Sequence, residues 1–334
     1  MLHDVVLLLL ALTVIVISCE LFTNGIEWLG QRLGFSEGVV GSVLAAVGTA
    51  LPETVIPFIA VVFFKGRSGA EVGIGAIAGA PFMLSTLTLG LCGFSMWYFA
   101  RKGRRPTELS VNSTVILRDL KFFIIAYSIA ALATLLKDLS LAKAMVAVLL
   151  CAIYPIYLYQ TFKHEGELGQ EPEQLHFDRL FRGGSKRLRL IVPQIVLGLG
   201  GIIGGAGLFV DHVEDLAKTI GASPLILSLI VSPIATELPE KINSVIWSRN
   251  GKDTLAMGNV TGAMVFQSCI PVAFGVAFTS WDLSKSTILS AVVAIGSALS
   301  YLLVIKRGKL TAPHLMRGAA VYAVAITAII MLSR

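Results

Sequence analysis

Charge is scarce in this sequence. Asp, Glu, Lys and Arg make up 14% of the 334 residues, while 55% belong to the hydrophobic set. An ordinary soluble domain carries about 25% charged residues, so that class is excluded. Histidine is rarer still, with five residues. His164, His176, His212 and His314 fall at the ends of apolar runs or in loops, which leaves no basis for a transition-metal site built on imidazole. The four cysteines, Cys19, Cys92, Cys151 and Cys269, all lie inside apolar runs, where a thiol behaves as a small hydrophobe, and no disulfide framework is expected. No Ser-Lys, His-Glu-x-x-His or Asp-Asp constellation of hydrolase type occurs, so the chain is not expected to be an enzyme and no cofactor is implied. The first apolar run is preceded by His3 and Asp4 rather than a basic cluster and lacks a small-residue cleavage pattern, so it reads as a true span and not a secretion signal. The formal charge of +6 comes from basic residues scattered among loops, a consequence of insertion topology that argues against a nucleic-acid partner.

What is present in abundance is apolar sequence in runs of about 20 residues, long enough to cross ~30 Å of hydrocarbon. Ten such spans lie near residues 5–30, 37–64, 71–100, 114–136, 140–162, 190–212, 223–248, 253–279, 284–305 and 314–333. The expected fold class is all-α integral membrane. With the N-terminus outside, Arg32, the Arg101-Lys102-Arg104-Arg105 cluster, the 163–189 loop, Arg249, Lys252 and the 306–317 loop all fall on the cytoplasmic side. Far fewer basic residues fall opposite, which predicts a multi-pass cell-membrane protein with both termini extracytoplasmic. The Asn112-Ser113-Thr114 sequon then faces the cytoplasm and has no meaning as a glycosylation site.

The longest polar stretch, 164–189, separates five spans from five. It divides the chain into a first five-helix repeat (1–163), a cytoplasmic linker and a second repeat (190–334). Leu21-Phe22 matches Leu208-Phe209, Glu27 matches Glu214, Gly34 matches Gly221, Thr49 matches Thr236, and Leu51-Pro52-Glu53 matches Leu238-Pro239-Glu240. All share one offset (240 − 53 = 187) without a gap. Gly75-Ala-Ile-Ala-Gly79-Ala80 then matches Gly258-Asn-Val-Thr-Gly262-Ala263 after a loop four residues shorter. An odd number of spans per repeat makes the copies enter the membrane from opposite sides. Ten transmembrane helices as two inverted five-helix repeats place the paired segments together near the midplane, the arrangement of alternating-access transporters.

Those paired segments carry the chemistry. A carboxylate at the bilayer centre costs several kcal/mol unless compensated, and it marks function far more often than structure. Thr49 and Glu53 are four apart on one helix face; Thr236, Glu237 and Glu240 repeat the pattern at spacings of four and three. Pro52 frees the Gly48 carbonyl and Pro239 frees the Ala235 carbonyl, adding neutral acceptors. Such hard oxygen donors suit Ca²⁺, and also Na⁺, Mg²⁺ or Mn²⁺. In the partner spans the glycines permit close helix approach. Ser85, Asn259, Gln267 and Ser268 either complete a coordination shell or serve packing, and the sequence leaves both open.

The segments Gly48-Thr49-Ala50-Leu51-Pro52-Glu53 and Ala235-Thr236-Glu237-Leu238-Pro239-Glu240 resemble the α-repeats of the Ca²⁺/cation antiporter superfamily, most nearly its prokaryotic Na⁺/Ca²⁺ exchanger branch. That family carries G-T-S-L-P-E in each repeat, followed one span later by G-N-x-x-G-S-N-x-x-N/D. The resemblance implies that Glu53 and Glu240 are the central cation ligands and that Thr49 and Thr236 lend backbone carbonyls. The serines that bind Na⁺ in the family are replaced here by Ala50, Glu237, Ala80 and Ala263. Pro81 and Met264 stand at the first Asn position, and Leu84 and Gln267 at the final Asn or Asp position.

Loss of four hydroxyls argues against Na⁺ coupling, while Glu237 adds a titratable group one turn from Glu240, and two such neighbours can share a proton. The expected function is exchange of a divalent cation, foremost Ca²⁺, against H⁺. The alternatives are Na⁺-coupled Ca²⁺ exchange, a channel or uniporter, or a homologue that transports nothing. Expected partners are membrane lipid and inorganic cations, with a monomer as the simplest state. Asn24 with Glu27, and Asp211 with Glu214, read equally well as lining ion access paths or as polar helix ends.

Overall fold

A computed structural model describes residues 2–33, 51–64, 67–106, 108–165, 175–177, 188–308 and 310–332. The described residues form helices and their connections, with no strand among them. In chain order the α-helices are α1 (Leu2–Arg32), α2 (Leu51–Val62), α3 (Arg67–Met83), α4 (Leu89–Arg101), α5 (Ser113–Leu132), α6 (Ser140–Glu165), α7 (Leu188–Ile220), α8 (Pro224–Arg249), α9 (Asp253–Phe278), α10 (Lys285–Lys306) and α11 (Ala312–Leu332). Eight stretches are long and apolar enough to cross a membrane, and Glu53–Val62 and Pro224–Ile234 are shorter apolar helical segments. Residues 34–50, which include Gly48 and Thr49, lie outside the described set, as does most of 164–189.

Local sequence explains where the helices begin, end and bend. Asn112 caps α5 by accepting from the Thr114 backbone N–H at 3.1 Å, so the sequon residue has a structural task. Ser223 caps α8 ahead of Pro224, whose missing N–H is harmless in a first turn. α7 runs past the expected end near 212 to Ile220 and stops at Gly221, in the left-handed region with φ 67°. α3 and α4 form one rod through a single π-helical turn, Leu84–Thr88. Pro81 lacks an N–H there, and the Ser85 and Thr86 hydroxyls both donate to the Phe82 carbonyl, so the regular backbone ladder is loosened where the turn widens.

Packing is set by glycines where helices cross closely. A Cβ on Gly75 would meet the Leu225 carbonyl, and one on Gly79 the Leu229 carbonyl and Pro233, so α3 and α8 need glycine at both places. Ser228 on α8 also donates to the Val72 carbonyl of α3 at 2.8 Å. Gly198, Gly201 and Gly205 do the same for α7 against α1, where a Cβ would meet Phe22, Ser18 or Ile15. Two buried apolar clusters result: one joins α1, α2 and α7 with Val72 and Ala76 of α3, and the larger joins α3 to α6 with α8 to α11.

One end of the bundle is tied by ion pairing. Arg105, in the α4–α5 connection, makes a two-pronged contact with Asp253 at the start of α9, both at 2.7 Å, and donates to the Ser248 carbonyl at the end of α8. The Ser110 N–H adds a 2.9 Å bond to the same carboxylate. At the other end Trp281 has φ 52°, unusual for a bulky residue, and is held by its indole N–H on the Ala130 carbonyl at 2.9 Å.

Candidate cation site

α2, α6, α8 and α9 line a cavity of about 240 Å³ that is open on one side. Glu53 projects into it from the first turn of α2, and Glu237 from the middle of α8. Both are buried, with exposures of 6% and 1%. The sequence repeat pairs these segments, and the fold brings them to one space.

Glu237 is held from two directions. Gln267 on α9 donates its amide N–H to Glu237 Oε1 at 2.9 Å, and the Lys241 ammonium, one turn along α8, lies 3.7 Å from Oε2. Lys241 is itself buried, at 5% exposure. The other end of the Gln267 amide is different. Its Oε1 is buried and accepts no hydrogen bond from the described residues, although leaving such a group unsatisfied costs about 1–3 kcal/mol. Gln267 thus presents a neutral oxygen in the same cavity as two carboxylates, a donor set for a hard cation.

The remaining walls are small or aromatic. Gly258, Gly262 and Ala263 line the cavity from α9. Gly258 has open space where its Cβ would be, and Gly262 has only the Tyr157 hydroxyl, at 3.3 Å. Glycines that the repeat equates therefore do different work in the two halves. Gly75 and Gly79 let helices touch, while Gly258 and Gly262 keep a space open. Asn259 lines the cavity and donates to the Ser244 hydroxyl at 2.8 Å. Tyr154, Tyr157 and Thr161 of α6 close the outer side, with Tyr154 edge-on to Phe266 at 5.3 Å between centroids.

The other candidates are placed as follows. Thr236 is buried and returns its hydroxyl to the Ser232 carbonyl at 3.1 Å, which leaves its side chain bonded within α8. Ser85 and Ser268 likewise donate to their own helices, at the Phe82 and Val265 carbonyls, and neither lines the cavity. The side chains of Ala235 and Glu240, and all of Gly48 and Thr49, lie outside the described residues. Asn24 is buried between α1 and α7, where it accepts from Gln194 Nε2 at 3.0 Å and from the His176 N–H at 3.1 Å. Glu214 pairs with Lys218 at 2.9 Å.

Two features escaped the sequence reading. Tyr154, Tyr157 and Thr161 gave no signal, because an aromatic in a membrane helix is most often packing. Asp119 did give one, as an acid within an apolar run. It is buried on α5, accepting from Thr261 on α9 at 2.7 Å and from Arg118 at 3.1 Å, and the Arg118 guanidinium lies 5.5 Å from the Tyr157 ring. This cluster braces α5, α6 and α9 directly behind the cavity wall.

With this geometry in hand, comparison with known proteins is informative. The profile of the family described as sodium/calcium exchanger protein matches residues 3–163 and 190–332, passing over the stretch between. A putative antiporter, CaxA of Alkalimonas amylolytica, is 24% identical over 266 residues, which are 80% of this chain and 78% of that protein. The crystal structure of the H⁺/Ca²⁺ exchanger CAX superposes with a TM-score of 0.70 at 17% identity, over 99% of this chain and 86% of the other. A structure of the sodium-calcium exchanger NCX_Mj superposes at 0.56 with 22% identity, over 98% of each chain. These likenesses give the fold, and the profile, which spans nearly the whole chain, gives the family: the chain belongs to the sodium/calcium exchanger family of membrane cation antiporters.

Proposed function

We propose that this protein is a secondary-active antiporter that carries a divalent cation, Ca²⁺ foremost, across the cell membrane by alternating access, against H⁺. The observation that carries this reading is the convergence of Glu53, Glu237 and the open carbonyl of Gln267 on one buried cavity between segments related by the internal repeat. Glu240 completes the set from the turn after Glu237, and the backbone carbonyls at Gly48, Thr49, Ala235 and Thr236 supply neutral ligands. Asn259 contributes at the rim. Ser85 and Ser268, whose hydroxyls are engaged within their own helices, stand outside this set.

The architecture proposed is ten transmembrane helices in two inverted repeats, 1–163 and 190–334, joined by a cytoplasmic linker at 164–189. Reciprocal packing supports it: the contact of α3 with α8 is mirrored by that of α9 with α2, α9 with α5 by α3 with α10, and α9 with α6 by α4 with α11. Both termini are extracytoplasmic in this reading. The end of the bundle bearing Arg101, Arg105, Arg249 and Asp253 is then cytoplasmic, and Lys241, Thr161 and Asn259 lie between the carboxylates and that end.

H⁺ is preferred to Na⁺ as counter-ion because Glu237 stands where the resembled family has a hydroxyl, while Ala50, Ala80 and Ala263 offer no ligand. The sodium-calcium exchangers among the structural relatives support the second reading, Na⁺-coupled exchange. Ca²⁺ uptake into proteoliposomes under imposed pH or Na⁺ gradients separates the two. Uptake driven by a pH gradient is expected; uptake driven by Na⁺ alone overturns H⁺ coupling. Flux that follows voltage with no counter-ion movement would make the protein a channel. The site assignment is tested by Glu240→Gln, expected to abolish uptake.

A further inference from the structure

We infer that Lys241 is a tethered cation that fills, beside Glu237, the position a mobile monovalent ion would otherwise take, so that the site admits one divalent cation and no Na⁺. This rests on the cation-site reading above and specifies its selectivity. The observation is a buried ammonium inside the cavity, 3.7 Å from Glu237 Oε2. A charged lysine is expensive to bury in a membrane protein, and a site that serves only to bind cations gains nothing from a fixed positive charge unless that charge has a role.

Charge arithmetic gives the role. Glu53, Glu237 and Glu240 contribute −3 when ionised and Lys241 contributes +1, which leaves −2, the charge one divalent ion neutralises. Without Lys241 the sum is −3, which takes one divalent and one monovalent ion together. Competition favours the tether. An ammonium linked to the next turn of α8 loses no translational freedom on pairing with Glu237, whereas a free monovalent ion of equal charge does, so the tethered charge holds the position. A divalent ion interacts twice as strongly with each carboxylate and is admitted, with Glu53 and Gln267 Oε1 as its ligands in the cavity.

The test is ²²Na⁺ binding to the purified transporter at saturating Ca²⁺, alongside Ca²⁺ affinity by calorimetry with and without Na⁺. Wild type and Lys241→Arg are expected to bind no Na⁺ and to show a Ca²⁺ affinity indifferent to it. Lys241→Met and Lys241→Gln are expected to acquire about one bound Na⁺ and to hold Ca²⁺ roughly tenfold tighter, because a like charge has been removed. Adding Glu237→Gln to Lys241→Met restores the sum of −2 and is expected to abolish the acquired Na⁺ binding. Na⁺ bound by the wild type, or Na⁺ competing with its Ca²⁺, overturns the inference with no substitution needed. Folded Lys241→Met that takes up no Na⁺ overturns it equally. If the wild type instead binds no Ca²⁺ in a Glu53-dependent manner, the site reading itself fails, an outcome distinct from both.

Discussion

Gln267 offers the sharpest single-residue test of the cavity. Among the described residues its amide N–H bonds to Glu237 Oε1 at 2.9 Å, and its buried carbonyl oxygen has no partner. Gln267→Leu keeps the volume and removes both functions. A hydrogen bond to a charged group is worth about 1.5–3 kcal/mol, and the direct oxygen–cation contact is of similar or greater worth. Loss of one such interaction on binding corresponds to a weakening of roughly 10- to 150-fold at about 1.4 kcal/mol per tenfold. Folding stability without Ca²⁺ is expected to change little, because loss of the amide bond to the Glu237 carboxylate is partly offset by removal of a buried unsatisfied oxygen. Titration calorimetry in detergent measures the affinity, and thermal unfolding in chelator measures the fold. Ser268→Ala is the control: that hydroxyl donates to the Val265 carbonyl of its own helix at 2.9 Å and does not line the cavity, so affinity should stay within about twofold of wild type. A Gln267→Leu protein with unchanged Ca²⁺ affinity, or a Ser268→Ala protein that loses as much, would refute the reasoning.

Other outcomes follow from the packing and the ion pairs. Gly79→Val should abolish folded yield, because its Cβ meets the Leu229 carbonyl and Pro233, whereas Gly258→Ala, with open space at that position, should fold normally; size-exclusion profiles decide. Arg105→Met leaves the Asp253 carboxylate buried with the Ser110 N–H as its remaining partner among the described residues, and a loss of about 3–5 kcal/mol is expected by denaturant titration, largely recovered in Arg105→Met/Asp253→Leu. Asp282 beside Lys137, at 3.0 Å, holds that exposed ammonium above the ordinary lysine range. Its contribution is therefore complete at neutral pH and lost only as pH climbs through that range, so Lys137→Ala should leave the change in melting temperature between pH 6 and pH 8 unaltered.

Much of this architecture is legible in the sequence because the membrane constrains it. The apolar runs near 253–279 and 284–305 agree with α9 and α10 to within a residue, since hydrocarbon thickness sets helix length. The site is legible for a related reason: a carboxylate such as Glu53 or Glu237 inside an apolar run needs compensation wherever it sits, so composition alone exposes it. What sequence does not contain is direction. Nothing in the spelling of Ser85, Ser268 or Thr236 reveals that each hydroxyl turns back to a carbonyl of its own helix, a competition decided by rotamer and local packing. Nor does a glycine declare its purpose, and the equivalence of Gly79 and Gly262 conceals a tight crossing in one half and a cavity wall in the other. Lys241 is conspicuous as a buried base, yet only its distance from Glu237 distinguishes a counter-charge from a side chain reaching for water.

Crystals grown with Mn²⁺, or with Ca²⁺ at a wavelength where it scatters anomalously, report the cation's location directly. The result predicted is a single divalent peak in the cavity between α2, α8 and α9, about 2.0–2.6 Å from carboxylate oxygens of Glu53 and Glu240 and from Gln267 Oε1, and absent from Glu53→Gln crystals. A saturating cation found elsewhere in the bundle, with this cavity holding none, would contradict it.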